Sequence, residues 1–344
     1  MELITSNKFA SLSDVIFSEV VSKADFDFKN QRNNLSIIQK SNVNNSEFIW
    51  YINNEFEIKD GDIVYCQTEV LKRFFNIIEN LKLKNITLIT NQSDISIDRK
   101  LYSKKPKTIS KWFAINVVTN QKDLIPIPLG VNNDYMDKHP TQNDFKNLRN
   151  NFSQKKNQIY LNFNINTRFL HRFHTKNQFR NKKNAVIEHH ILSKKDYLEE
   201  INKYKFIVCP WGNGYDTHRF WEAIYSFSIP ISLKHISNET FDSLPILRIQ
   251  TFRNLELDFE KFSNTNFNLE GSIADFSYWE NKIVSQVLTN YDVSSYKVEI
   301  YKDNSKFLSK FMFFRIFLNR YKHVKYFIFR IYKKIYNLVT LSFT

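Results

Sequence analysis

Short apolar runs alternate with amphipathic stretches along most of this chain, and that alternation leaves few architectures other than parallel sheets covered by helices. Asp60-Gly61-Asp62 reads as a turn leading into Ile63-Val64-Tyr65-Cys66, an expected buried strand. A helix is expected from Glu69 to Leu83, with Leu71, Phe74, Phe75, Ile78 and Leu81 on one face, followed by a strand from Ile86 to Thr90. Such a βαβ unit gathers ligands beyond the carboxyl ends of its strands. Gln67 and Thr68 lie there after the first strand, and Asn91, Gln92, Ser93 and Asp94 after the second.

Ile125-Pro126-Ile127-Pro128-Leu129-Gly130-Val131 opens a polar stretch running through Lys155, whose prolines and glycine interrupt any periodic element. It predicts a division into an N-terminal α/β lobe over residues 1–130, a linker over 131–155 and a second lobe over 156–295. In that second lobe, Ile159 to Phe163 is an expected strand, Thr167 to Gln178 a basic helix and Ala185 to Ile187 a short strand. A helix around Lys195 to Lys203 then leads to the strand Phe206-Ile207-Val208-Cys209. The α/β logic of the first half is repeated without a sequence repeat, and two such lobes imply a cleft between them.

The length of 344 residues fits two domains at roughly 100–200 residues each. With 42% hydrophobic residues, disorder is excluded as the dominant state. Lys and Arg number 49 against 35 Asp and Glu, a net charge of +14 that favours an anionic partner. Cys66 and Cys209, each inside an apolar run, suit a reducing compartment and give no zinc spacing. The opening Met1-Glu2-Leu3-Ile4-Thr5-Ser6 lacks a basic segment followed by an unbroken apolar one, so a cytoplasmic body without a signal peptide is expected.

Residues 296–344 form a basic, aromatic tail. From Lys306 onward it carries nine further-spaced cations such as Arg315, Arg320 and Arg330 among Phe311, Phe314, Phe327 and Tyr332, with no acidic residue. Its cations recur too often for the run of about 18 apolar residues that a spanning helix needs. An amphipathic helix lying on an anionic membrane surface fits the pattern, as does a terminal helix packing its rings on the body. The first reading places the protein at the inner face of a membrane.

Two of the chain's five glycines fall in Pro210-Trp211-Gly212-Asn213-Gly214-Tyr215-Asp216-Thr217, between a strand and an expected helix. Glycine at such a turn lets backbone approach a ligand, and amides at the helix start can bind phosphate oxygens. Asp216 or Thr217 can cap the helix His218-Arg219-Phe220-Trp221-Glu222-Ala223-Ile224-Tyr225. His218, Arg219 and Glu222 share one side by their spacing. Arg219 suits a diphosphate, and Glu222 could accept from two ribose or sugar hydroxyls. An ordinary turn followed by a solvated Arg219–Glu222 pair fits the same spacing, and the residues alone leave both readings open.

The segment from Tyr204 to Ile224, with Cys209-Pro210, Gly212-Asn213-Gly214, Asp216-Thr217-His218-Arg219 and Trp221-Glu222-Ala223, followed by Ile229-Pro230, resembles the donor-site segment of exostosin-like glycosyltransferases. It is also distantly similar to the donor motif of fucosyltransferases. Trp112-Phe113-Ala114-Ile115-Asn116 together with Ile125 to Gly130 resembles the lobe-linking region of bacterial relatives. The resemblance implies a GT-B fold, two Rossmann-like lobes with the nucleotide-sugar donor on the C-terminal one and no required metal. It places Gly212, Asn213 and Gly214 at the diphosphate, Arg219 as its counter-charge and Glu222 at the ribose. Where relatives carry a glycine before the Ile-Pro, this chain has Phe227-Ser228, a bulky side chain expected to reshape the donor pocket.

An inverting transfer needs a base from the N-terminal lobe. Asp94 is the nominee, with Glu69 and Asp98 as rivals, and a plain Asx turn is the competing explanation for Asp94. Asp25-Phe26-Asp27 and Asp60-Gly61-Asp62 have the spacing of metal-binding carboxylates, but the second pair opens a strand instead of ending one. His171 with His174, and His189 with His190, lack a third ligand nearby. Arg168, Arg172, Lys176, Arg180, Lys182 and Lys183 read chiefly as a solvated basic face, with Arg172 kept as a donor-phosphate contact. No nucleic-acid-binding module is apparent.

These readings converge on a glycosyltransferase, inverting and without a resident cofactor, that moves a sugar from a nucleotide donor to a glycan or lipid-linked acceptor in cell-surface polysaccharide synthesis. The alternative is a non-catalytic membrane-surface protein that retains the fold.

Overall fold

The computed structural model describes residues 1–17, 19–22, 33–43, 46–134, 139–146, 152–285 and 294–299. The first lobe begins with α1 (Ser6–Ser11) and β1 (Val15–Phe17), followed by β2 (Glu19–Ser22), β3 (Asn33–Val43), β4 (Ser46–Lys59) and β5 (Ile63–Gln67). It continues with α2 (Leu71–Ile78), β6 (Ile86–Asn91), α3 (Arg99–Tyr102), β7 (Ile109–Ala114) and β8 (Leu124–Pro126). After α4 (Gln142–Lys146), the second lobe runs β9 (Lys156–Leu161), α5 (Phe169–Gln178), β10 (Ala185–Ile187), α6 (Lys194–Ile201) and β11 (Tyr204–Val208). Then come α7 (His218–Tyr225), β12 (Ile229–Leu233), α8 (Ile236–Glu239), β13 (Leu247–Ile249), α9 (Phe276–Val284) and β14 (Ser295–Glu299).

Each lobe is built on a five-stranded parallel sheet, in the orders β1-β5-β6-β7-β8 and β10-β9-β11-β12-β13. This is the two-lobed, Rossmann-like GT-B architecture expected from the alternation of apolar runs. The central strands are predominantly apolar because both their faces are covered, and β6 and β11 are buried at every position, with Thr87, Thr90, Asn91 and Lys205 among the buried residues. The expected helix after β5 is shorter than its periodicity suggested: a 3-10 turn at Thr68–Val70 precedes α2, which ends at Ile78. Its buried face is Leu71, Phe74, Phe75 and Ile78, with Phe75 edge-on to Trp112 of β7.

The long antiparallel pair β3–β4 was not anticipated. β4 pairs with β3 along one side and with both β2 and β14 along the other. Residues 296–299, read with the tail, thus return to the first lobe as part of a strand. The tail from Lys306 onward and the Asp25-Phe26-Asp27 pair lie outside the described residues.

One core cluster crosses the lobe junction, joining Phe9, Tyr65 and Phe113 of the first lobe to Trp221, Tyr225 and Phe241 of the second. The N-terminal segment threads this junction. Ile4 donates to the Tyr225 hydroxyl at 3.1 Å, and Val131 donates to the Ile4 carbonyl at 2.9 Å. Gly130 has φ +74°, and a Cβ there would lie 2.1 Å from the Ile4 carbonyl oxygen.

Candidate functional site

In the second sheet β9 leads through α5 to β10 on one side, while β11 leads through α7 to β12 on the other. The order of connection therefore reverses between the parallel neighbours β9 and β11, and the region beyond their carboxyl ends is where α/β sheets with such a switch point place ligands. The glycine turn follows β11 and the Asn164–Arg168 segment, which leads into α5 and Arg172, follows β9, so both lie at that end of the sheet.

Arg172, on α5, ties the two together. Its Nη1 donates to the Asn164 carbonyl at 2.7 Å, Nε to the Trp211 carbonyl at 2.8 Å and Nη2 to the Pro210 carbonyl at 3.4 Å. The side chain is buried and lies against Gly212, where a Cβ would meet Nη2 at 3.2 Å. Burial, then the neighbouring Arg219 charge, lower its pKa to about 10, so it stays charged at neutral pH. Expected as a phosphate contact, Arg172 instead clamps the backbone of the turn that would make such contacts.

Arg219 sits in the first turn of α7. Its Nε lies 3.5 Å from Glu222 Oε2, and its guanidinium carbon is 4.4 Å from the Tyr197 ring centre. Both Nε and Nη1 are buried without a hydrogen-bond partner. Such donors are uncommon in folded proteins and mark a place where an acceptor belongs. Glu222 is 5% exposed and accepts from the Tyr197 hydroxyl at 2.6 Å. The pairing of Arg219 and Glu222 on one helix side follows their spacing. The position of Glu222 differs from a ribose contact, because Tyr197 and Arg219 already hold Oε2. Burial pushes the Tyr197 hydroxyl and the neighbouring Cys209 thiol up, so both stay protonated at neutral pH.

The carboxyl edge of the first sheet meets this turn. Asn213 Nδ2 donates to Asp94 Oδ2 at 3.0 Å, with both residues exposed. Asn116, after β7, accepts from the Tyr215 and Asp216 amides at 2.8 and 3.0 Å. Asp216 accepts from the Leu129 amide at 2.8 Å and from Trp221 Nε1 at 2.9 Å, and burial raises its carboxyl to about 6. Thr217 holds the cap position of α7 without a side-chain cap bond. His218 Nδ1 lies 2.8 Å from the Gly130 carbonyl, which can only accept, so Nδ1 carries the proton. Burial lowers its pKa and keeps the ring neutral.

Among the rivals to Asp94, Asp98 caps α3 by accepting from the Leu101 amide at 2.7 Å. Glu69 accepts from the Ser93 hydroxyl at 2.9 Å; desolvation lifts its carboxyl above the ordinary range, and the nearby Asp94 charge adds to the shift. Asp60 and Asp62 close turns onto the amides of Lys84, Ser294 and Lys59. Among the described residues no three His, Cys, Asp or Glu side chains converge as a metal site would require. His171 stacks on Trp211, and His235 lies 3.9 Å from the Tyr215 ring centre while Arg168 covers both Trp211 and Tyr215.

Phe227 does not face this region. Helix α7 ends in a Schellman motif, with Phe227 donating to Ile224 O and Ser228 to Ala223 O, both at 2.9 Å. Phe227 occupies the left-handed position at φ +54°, where glycine is the usual residue. Its ring packs on Phe267, at the end of α7 away from Arg219.

Sequence reasoning missed Asn116 and Tyr197 as members of the site. Asn116 had been singled out only within the segment linking the lobes. No protein-family model and no curated protein matches this chain. Among solved structures it is similar to a crystal structure of an α1,3-fucosyltransferase, at 12% identity and a TM-score of 0.33, over 66% of this chain and 68% of that one. At that distance any chemistry must be argued from the residues themselves.

Proposed function

We propose that this chain is a glycosyltransferase that grips the diphosphate of a nucleotide-sugar donor at the turn between β11 and α7. The observation that carries the reading is Arg219: a guanidinium with two buried, unpartnered donors, at the carboxyl edge of a Rossmann-like sheet, next to a glycine turn. A diphosphate supplies hydrogen-bond acceptors that Arg219 lacks, besides the Glu222 carboxylate at 3.5 Å. Gly212, Asn213 and Gly214 present the turn to it. Arg172 holds that turn in shape, and Glu222 with Tyr197 orients Arg219. Asp216 and His218 anchor the turn and α7 to the first lobe, and Thr217 starts the helix.

In the inverting transfer, the acceptor hydroxyl oxygen forms a bond to the anomeric carbon while its proton passes to Asp94. The bond from that carbon to the β-phosphate oxygen breaks, and its electron pair leaves with the nucleoside diphosphate beside Arg219. Asp94 suits the role because it is exposed on the first lobe and bonded to Asn213 of the donor turn. The exostosin-like resemblance of residues 204–231 supports a glycan or lipid-linked acceptor and a place in cell-surface polysaccharide synthesis. The basic tail would hold the enzyme on an anionic membrane surface. Among the described residues no helix is long and apolar enough to cross a membrane.

The test is a thermal-shift screen of nucleotide sugars, followed by transfer assays with and without a chelator. A rise in melting temperature with one nucleotide family, and turnover that survives chelation, are expected. Absence of any shift across the screen, with tight binding to anionic vesicles, would favour a non-catalytic membrane-surface protein.

A further inference from the structure

The amides of Tyr215 and Asp216 stand where a phosphate-binding turn would offer free donors, yet both already have an acceptor, and it comes from the other lobe. Asn116 Oδ1 takes both, at 2.8 and 3.0 Å, while its Nδ2 donates to the Ser93 carbonyl at 2.8 Å. The side chain is buried at 2% exposure. We propose that Asn116 is a positioning residue that latches the glycine turn onto the first lobe and so sets the shape in which the turn meets its anion.

Three features of the chain converge on this pair of segments. The Ser93 carbonyl accepts only, so it fixes which end of the Asn116 amide faces the turn; an aspartate could accept from Tyr215 and Asp216 but could not donate to Ser93. Asn116 itself has φ +53°, a left-handed conformation that asparagine tolerates better than most residues. Gly214 is the third. A Cβ there would lie 2.7 Å from Asn116 Nδ2, 2.8 Å from Oδ1 and 3.0 Å from Cγ. Gly214 is therefore glycine because the Asn116 amide lies against it, whereas Gly212 faces Arg172. Since Ser93 adjoins Asp94, and Asn213 bonds Asp94, the same contact also fixes the distance between the proposed base and the donor turn.

The latch is tested by hydrogen exchange on the peptide covering residues 211–218 and by nucleotide titration. Asn116→Gly removes the amide without straining the left-handed backbone. It should speed exchange at two amides of that peptide by about tenfold, the usual worth of a lost hydrogen bond. Asn116→Asp keeps the acceptor, so it should retain more protection than Asn116→Gly, yet weaken binding of GDP or UDP more, because it sets a second negative charge beside the anion. Gly214→Ala should lower the folding equilibrium constant at least about tenfold more in the wild-type background than in Asn116→Gly, where the space is open.

Unchanged exchange in Asn116→Gly, or an equal cost of Gly214→Ala in both backgrounds, would overturn the latch. The nucleotide arm rests on the diphosphate reading, whereas the exchange and double-variant arms do not. If neither GDP nor UDP binds any form while those two results hold, the donor reading fails and the latch stands.

Discussion

The Tyr197 hydroxyl donates to Glu222 Oε2 at 2.6 Å, across 25 residues of sequence, and its ring lies beneath the guanidinium of Arg219. One tyrosine on α6 thus orders both charged residues of α7. Tyr197→Phe keeps the ring and, among the described residues, removes the hydroxyl donor that holds that carboxylate together with Arg219. Glu222 would then be buried with an unmatched oxygen, at a cost of about 1–3 kcal/mol. Urea unfolding of the variant should show that loss, and nucleotide binding should weaken as Arg219 is drawn toward Glu222.

Asp216 is raised by burial to about 6, well above the 3.8 of an unperturbed aspartate. Its folded state therefore holds a proton more tightly than its unfolded state. That favours folding at low pH, and the benefit fades as pH rises from about 4 to about 6. Asp216→Asn does not titrate, so the stability advantage of wild type over this variant should shrink across that window, by on the order of 3 kcal/mol, and stay constant above it. Paired denaturation curves at several pH values check the sign.

His235 moves oppositely. Burial, then the Arg168 charge, lower it from 6.5 to about 4, while its Nδ1 accepts from the Ser237 amide at 3.1 Å. The stabilisation is complete above about 6.5 and is lost as pH falls toward 4, because the unfolded state takes the proton first. Against His235→Asn, which can still cap α8, the wild-type advantage should therefore decline on acidification. The same paired curves record it.

Gly130→Ala should destabilise the junction between lobes. The added Cβ would meet the Ile4 carbonyl oxygen at 2.1 Å, and φ +74° is itself strained for alanine. A loss of at least about 2 kcal/mol is expected in urea unfolding.

How far the sequence revealed this molecule depended on the range of the forces involved. The strands β5, β6 and β11 and the buried face of α2 could be read directly, because apolar runs and helical spacing are local signals. So could the Arg219–Glu222 pair, three residues apart on one helix. The partners that give those residues meaning were not local. Asn116 meets Tyr215 and Asp216 across 99 and 100 residues, and nothing in its own neighbourhood marks it. Arg172 could be picked from its basic helix as a donor-phosphate contact, but its three carbonyl partners, two of them 38 and 39 residues away, could not be read from the helix. Phe227, expected to reshape the donor pocket, instead fills the left-handed end of α7. The strand β4 was legible in principle, since Phe48-Ile49-Trp50-Tyr51-Ile52 is an unbroken aromatic and β-branched run, but it falls outside the βαβ rhythm used to divide the chain.

The reading as a donor site stands on Arg219 taking a diphosphate, and calorimetric titration of GDP and UDP into wild type and Arg219→Gln measures that directly. Micromolar binding of one of them to wild type is expected, weakened at least about 100-fold in the variant, which should remain folded at about 25 °C but melt lower because buried Glu222 loses its counter-charge. Equal affinity in the two proteins, with both folded, would contradict it.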